Sequence, residues 1–197
     1  KESVREEERK KKIIEIKTFP VPFPLAENQE NITINTNILS KASKEELINQ
    51  AFKFHSKGKI SKAKKYYQYL IAQGCNDHRV FSNYGGILKS QGKLNEAELA
   101  LRKAIELKPN FADAYSNLGI ILIDLGNIEE AESYVRKAIK FKPDYADAYS
   151  NLGYILLDKG ELIEAELALR KAIELKPDFA IAHSNLGNVM TNLGKLK

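Results

Sequence analysis

The 197-residue sequence predicts an all-α solenoid of stacked antiparallel helix pairs behind a mostly irregular N-terminal tail. Three observations carry that prediction. Gly58, Gly92, Gly126, Gly160 and Gly194 recur every 34 residues, and Ala63, Ala97, Ala131 and Ala165 keep the same spacing, as do Pro109, Pro143 and Pro177. Two long blocks, beginning at Ala112 and Ala146, nearly copy each other. Within a copy the apolar spacing is helical: Tyr115, Leu118, Gly119 and Leu122 share one face, and Ala131, Val135, Ala138 and Phe141 share another.

Each element follows in chain order. Residues 1–43 do not repeat. KESVREEERKKKIIEIK is rich in charge and reads as a frayed, solvent-exposed helix. TFPVPFPL carries a proline at every second position from Pro20 to Pro24, which favours extended backbone. AENQENITINTNILSKAS has a linker composition. Asn31-Ile32-Thr33 matches a glycosylation acceptor, but nothing else in the sequence points to secretion.

The repeats occupy 44–77, 78–111, 112–145 and 146–179, with a partial copy at 180–197. Gly126 suits the end of a first helix, where a left-handed residue stops the run. Asn127 is placed to cap the next helix, with Glu130 three residues on as in a capping box. Pro143 ends the second helix because it has no N–H to donate. Gly119 and Ala131 fall where the two helices of a repeat meet, and Tyr115, Leu118, Leu122, Val135 and Phe141 fill the space around them. One helix pair cannot bury its own apolar face; stacked neighbours can.

The residues Tyr115, Leu118, Gly119, Leu122, Ala131, Val135 and Pro143 closely resemble the tetratricopeptide repeat (TPR) pattern, with Tyr for its usual Trp. Tyr149, Leu152, Gly153, Leu156, Ala165, Leu169 and Pro177 match equally well, and Phe81, Tyr84, Gly85, Leu88, Ala97, Leu101 and Pro109 also fit. Residues 44–77 fit loosely, with Cys75 in place of the proline. The chain is similar to bacterial, especially cyanobacterial, TPR arrays and to the superhelix of O-GlcNAc transferases. That resemblance implies a right-handed solenoid whose first helices line a concave, partner-binding face.

On that face asparagine recurs at one register: Asn49, Asn83, Asn117, Asn151 and Asn185. An amide offers an acceptor and two donors, so it pairs with both polar groups of a peptide backbone. This resembles the asparagine ladder of the O-GlcNAc transferases. A second reading stands beside it, in which the amides bond neighbouring helices. Ser116, Ser150 and Ser184 are expected to leave the groove open, and Ile120, Tyr154 and Leu157 to offer apolar contact. Asp113, Asp124, Asp147 and Asp158 make its middle acidic, which favours a basic or neutral segment. TPR domains that clamp chaperone tails carry a key lysine where this chain has Ile48, Ser82, Ser116 and Ser150, a departure that argues against such a clamp.

No catalytic constellation, cofactor site or metal site is legible. There is no phosphate-binding glycine loop, no His-Glu-x-x-His and no Gly-x-Ser-x-Gly. His55, His78 and His183 are far apart in register and read as a surface group, a loop group and a core group. Cys75 reads as a tolerated loop residue. With one cysteine and no secretory leader visible, a cytoplasmic setting is expected. No stretch is long and apolar enough for a membrane helix. Residues 78–197 carry 16 basic and 16 acidic side chains, so no basic stripe tracks phosphates and no nucleic-acid partner is expected. The formal charge of +5 is local: residues 44–77 hold seven lysines against three acids.

Function therefore reads as a scaffold that binds an extended peptide or partner segment in the concave groove. The alternative is the substrate-recruiting half of a larger glycosyltransferase, sulfotransferase or methyltransferase, with the chemistry beyond residue 197. Gly194-Lys195-Leu196-Lys197 repeats the start of a second helix, so the full protein is expected to run on, or the last helix to pair end to end with another copy.

Overall fold

The computed structural model describes residues 43–194. Expectations for the N-terminal tail, for Asn31-Ile32-Thr33 and for Lys195-Leu196-Lys197 lie outside them. The described chain folds into α1 (Lys44–Ser56), α2 (Ile60–Ala72), α3 (His78–Ser90), α4 (Leu94–Leu107), α5 (Ala112–Asp124), α6 (Ile128–Phe141), α7 (Ala146–Asp158), α8 (Leu162–Leu175) and α9 (Ala180–Asn192). No strand occurs among the described residues. The all-α helix-pair solenoid is the architecture the periodicity predicts.

Helix starts use different devices. Ser43 caps α1 through a full capping box: its hydroxyl accepts the Glu46 N–H at 3.2 Å, and the Glu46 carboxylate accepts the Ser43 N–H at 2.7 Å. Asp77 caps α3 by accepting the Arg79 N–H at 2.8 Å. The box expected at Asn127 does not form. Its ψ of 64° is far from the extended backbone a side-chain cap needs, and Lys59, Lys93 and Glu161 share that geometry, with ψ between 60° and 63°. The preceding glycine turn sets it: Gly126 has φ +80°, and the Asn127 N–H donates back to the Leu122 carbonyl at 2.8 Å. Glu130 is used elsewhere, accepting from Arg102 at 2.8 Å.

Packing within a repeat turns on the expected small residues. Ala63, Ala97, Ala131 and Ala165 are fully buried. A Cβ added at Gly119 would lie 2.4 Å from Val135 Cγ2, and at Gly153 2.4 Å from Leu169 Cγ. These glycines let the paired axes close up. Tyr115 packs on Tyr134 at 5.7 Å and Phe141 at 5.3 Å between centroids, and its hydroxyl donates to the Pro109 carbonyl at 3.1 Å. Phe141 fills less space than expected, since 42% of it stays exposed. Cys75 is no loop ornament: it is buried, and its N–H donates to the Leu70 carbonyl at 2.9 Å. The chain turns early there, at Gly74 with φ +66°, which tucks the thiol inward where later repeats hold an exposed proline.

Polar struts join successive second helices on the outer side. Arg102 of α4 donates to Glu130 of α6 at 2.8 Å and to the Tyr134 hydroxyl at 2.7 Å. Arg136 of α6 donates to Glu164 of α8 at 3.2 Å.

Candidate functional site

The curvature follows from which helices touch. The first helices α3, α5, α7 and α9 pack directly against one another in sequence, whereas successive second helices approach less closely. The stack therefore bends toward its first helices, and their outward faces line the inside of the bend. That face carries the asparagine row.

Asn83, Asn117, Asn151 and Asn185 are half-buried and Asn49 is exposed. The Asn151 amide donates to the Ser116 hydroxyl of the preceding first helix at 3.2 Å. The Asn83 amide faces Tyr67, whose hydroxyl bonds His55 Nδ1 at 3.1 Å. Burial pushes the Tyr67 phenol up to about 12, so the hydroxyl stays protonated at neutral pH. Among the described residues, Asn117 and Asn185 hold no side-chain bond to protein. The bonded Asn151 amide keeps one N–H and its carbonyl oxygen for another partner.

The serines at the neighbouring register do not line open space. Ser82, Ser116 and Ser150 are buried beneath the asparagines, 1% exposed at Ser116 and 2% at Ser150. Only Ser184, on the last first helix, is exposed. Small size here lets the next first helix approach rather than keeping a groove clear.

The four aspartates separate into two kinds. Asp113 faces the buried Tyr145 hydroxyl; burial first, then the Asp113 charge, drives that phenol upward, with a smaller push from Asp147. Asp124 pairs with Lys89 of the preceding first helix at 3.5 Å. Asp147 and Asp158 are exposed on α7 and hold no ion pair among the described residues. Of these four aspartates, the two exposed without an ion pair among the described residues both lie on α7.

One register was missed in the sequence. Ile120 and Tyr154 share it with Phe52 and Gly86, so the inner face also carries a row of varied bulk beside the asparagines. Tyr154 is 43% exposed, and the Arg79 guanidinium lies 5.2 Å over the Phe52 ring. Counting 34 residues from Ile120 would have found both.

The histidines redistribute. His55 and His78 are half-buried, and burial lowers both from their ordinary value; His78 also faces Lys108 and packs edge-on to Phe111 at 4.7 Å. His183, expected in the core, is exposed. Its Nε2 lies 2.8 Å from the Pro177 carbonyl, the latch that Tyr115 makes to Pro109. A carbonyl only accepts, so Nε2 carries the proton. No group of three or more His, Cys, Asp or Glu among the described residues could hold a metal.

Comparison with known proteins agrees with this architecture. Residues 47–151 match the family described as the Cilia and flagella-associated protein 70 middle TPR-like domain. Residues 153–194 match a TPR repeat family. The chain belongs to the tetratricopeptide repeat proteins. The solved structure of MamA is 28% identical, with a TM-score of 0.65 over 74% of this chain and 85% of that one. The first TPR of Spaghetti (RPAP3), bound to an HSP90 peptide, is 24% identical, with a TM-score of 0.58 over 60% of this chain and 94% of that one. An O-GlcNAc transferase of Thermobaculum terrenum is 26% identical with a TM-score of 0.56, over 57% of this TPR chain but only 22% of the transferase. A search of curated proteins finds no significant match.

Proposed function

We propose that this TPR chain is a protein-interaction scaffold whose inner face holds an extended partner segment by its backbone. The carrying observation is the amide at one register in five successive first helices, Asn49, Asn83, Asn117, Asn151 and Asn185. Packed helices lie about 8–10 Å apart and an extended chain rises about 3.3 Å per residue, so each repeat meets about every third ligand residue. The bond to Ser116 orients the Asn151 amide without exhausting it. Asp147 and Asp158 favour a basic or neutral segment. The peptide held by the Spaghetti domain speaks for the capacity of the fold, while Ile48, Ser82, Ser116 and Ser150 speak against a carboxylate clamp here.

A cytoplasmic setting belongs to the same reading, resting on the single buried cysteine. So does end-to-end pairing through α9, whose Leu186 and Met190 are half-exposed. Among the described residues no helix is long and apolar enough to cross a membrane.

The decisive experiment is a peptide array probed with the wild-type chain, followed by titration of the best peptides against N117A/N151A. Losing two backbone contacts of about 1 kcal/mol each weakens binding about 30-fold. The melting temperature should move little. Unchanged affinity with a depressed melting temperature would make the asparagines purely structural.

A further inference from the structure

Gly85 and Gly86 are adjacent in the middle of α3, and only one has a packing reason. A Cβ at Gly85 would lie 3.0 Å from Leu101 Cγ and 3.3 Å from the Ala97 carbonyl oxygen. A Cβ at Gly86 would meet nothing within 4 Å. Gly86 is exposed, and its φ is not among the positive values in the chain. Neither close approach nor a left-handed turn explains it, yet glycine inside a helix is destabilising relative to alanine. Its register places it on the inner face, between Phe52 on α1 and Ile120 on α5. The apolar row is therefore interrupted by one missing side chain. Two first helices further on, α7 presents Asp147 and Asp158 without an ion pair among the described residues, whereas on α5 Asp124 is paired with Lys89 and Asp113 faces Tyr145 more strongly than Asp147 does.

We propose that the groove selects a segment with a bulky apolar side chain, seated over Gly86 between Phe52 and Ile120, and a lysine or arginine that reaches Asp147 or Asp158. The inference rests on the groove reading above and names its partner class. The span from α3 to α7 is two helix spacings, about 16–20 Å, which an extended chain crosses in about five or six residues. The apolar side chain supplies burial and the cation supplies complementarity, while the asparagines read no side chains at all.

The test uses the 197-residue chain and fluorescein-labelled 12-residue peptides of alanine and serine carrying one Phe and one Lys. With the two six residues apart, binding should exceed that at a spacing of two, and exceed that of peptides lacking either residue. G86L fills the opening and should cost the Phe peptide about tenfold, with no change for the peptide lacking Phe. D147N/D158N should erase the advantage of Lys alone. Because the position is open, G86A and G86L should hold or raise the melting temperature; a fall would give Gly86 a structural role and overturn the inference. If N117A/N151A weakens every peptide while G86L changes none, the groove stands and this selectivity fails. If N117A/N151A changes none, both fail together.

Discussion

Gly119 and Gly187 hold the same place in their repeats and meet opposite surroundings. A Cβ on Gly119 would run into Val135 Cγ2 at 2.4 Å, while a Cβ on Gly187 would meet nothing within 4 Å. The same split runs along the helices that carry them. Leu118 and Leu122 on α5 are 0% exposed, whereas their counterparts Leu186 and Met190 on α9 are half-exposed. The residues are nearly the same, so the difference comes from the neighbours. In a stack, a repeat's contribution lies as much in the interfaces it completes as in its own sequence.

The largest effect that could break this comparison is steric. G119L forces four heavy atoms into the seam between α5 and α6, beside the Ala131 carbonyl oxygen at 3.4 Å. We expect a loss of about 3 kcal/mol, read by urea denaturation. In the 197-residue chain, where nothing among the described residues packs on Gly187, G187L should be neutral or slightly stabilising, since leucine is the better helix former. Equal destabilisation by both would mean that the register, and not the neighbour, sets the cost. Next in size is truncation. L118A removes a fully buried side chain and should cost about 2–5 kcal/mol, while L186A should cost under about 2 kcal/mol.

How much of this could be read in the sequence differs by kind of feature. The helix pairs, the glycine turns and the small residues at Gly119, Ala131, Gly153 and Ala165 follow from a 34-residue period and sterics, so repetition exposes them. Asn127 misled because cap preference assumes extended backbone, and the turn at Gly126 imposes another geometry. His183 misled because the described residues place no second helix over it, as α6 lies over Tyr115 at the same register. Ser116 and Ser150 misled because a small residue beneath an asparagine and a small residue beside open space read alike in one dimension. The two classes of aspartate were illegible for a similar reason: whether Asp113 or Asp147 is engaged depends on Tyr145 being Tyr and on Phe179, one repeat later, lacking a hydroxyl.

The smallest expected effects concern the outer struts, where the comparison becomes electrostatic. Arg102 and Arg170 share a register, and each binds the glutamate four residues earlier, Glu98 and Glu166. Among the described residues, only Arg102 of the two also reaches forward, to Glu130 and Tyr134. R102A should therefore cost about 1 kcal/mol, more than R170A, with the gap narrowing in molar salt. The strut at Glu132 has a pH signature as well. Its bond to Lys159 at 2.6 Å, and then its bond to Arg136 at 2.7 Å, hold the carboxyl below its ordinary value of 4.5. A carboxylate with a depressed folded value binds fewer protons than the unfolded chain does. Its stabilisation is complete above pH 4.5 and drains away as pH falls through the folded value. Wild type should accordingly exceed E132Q in stability at pH 7, and the two should converge in strong acid. Denaturation curves at pH 7 and pH 3 check this. A gap that survives acidification would show that the negative charge of Glu132 is not what stabilises the strut, because E132Q leaves the stem of the side chain unchanged.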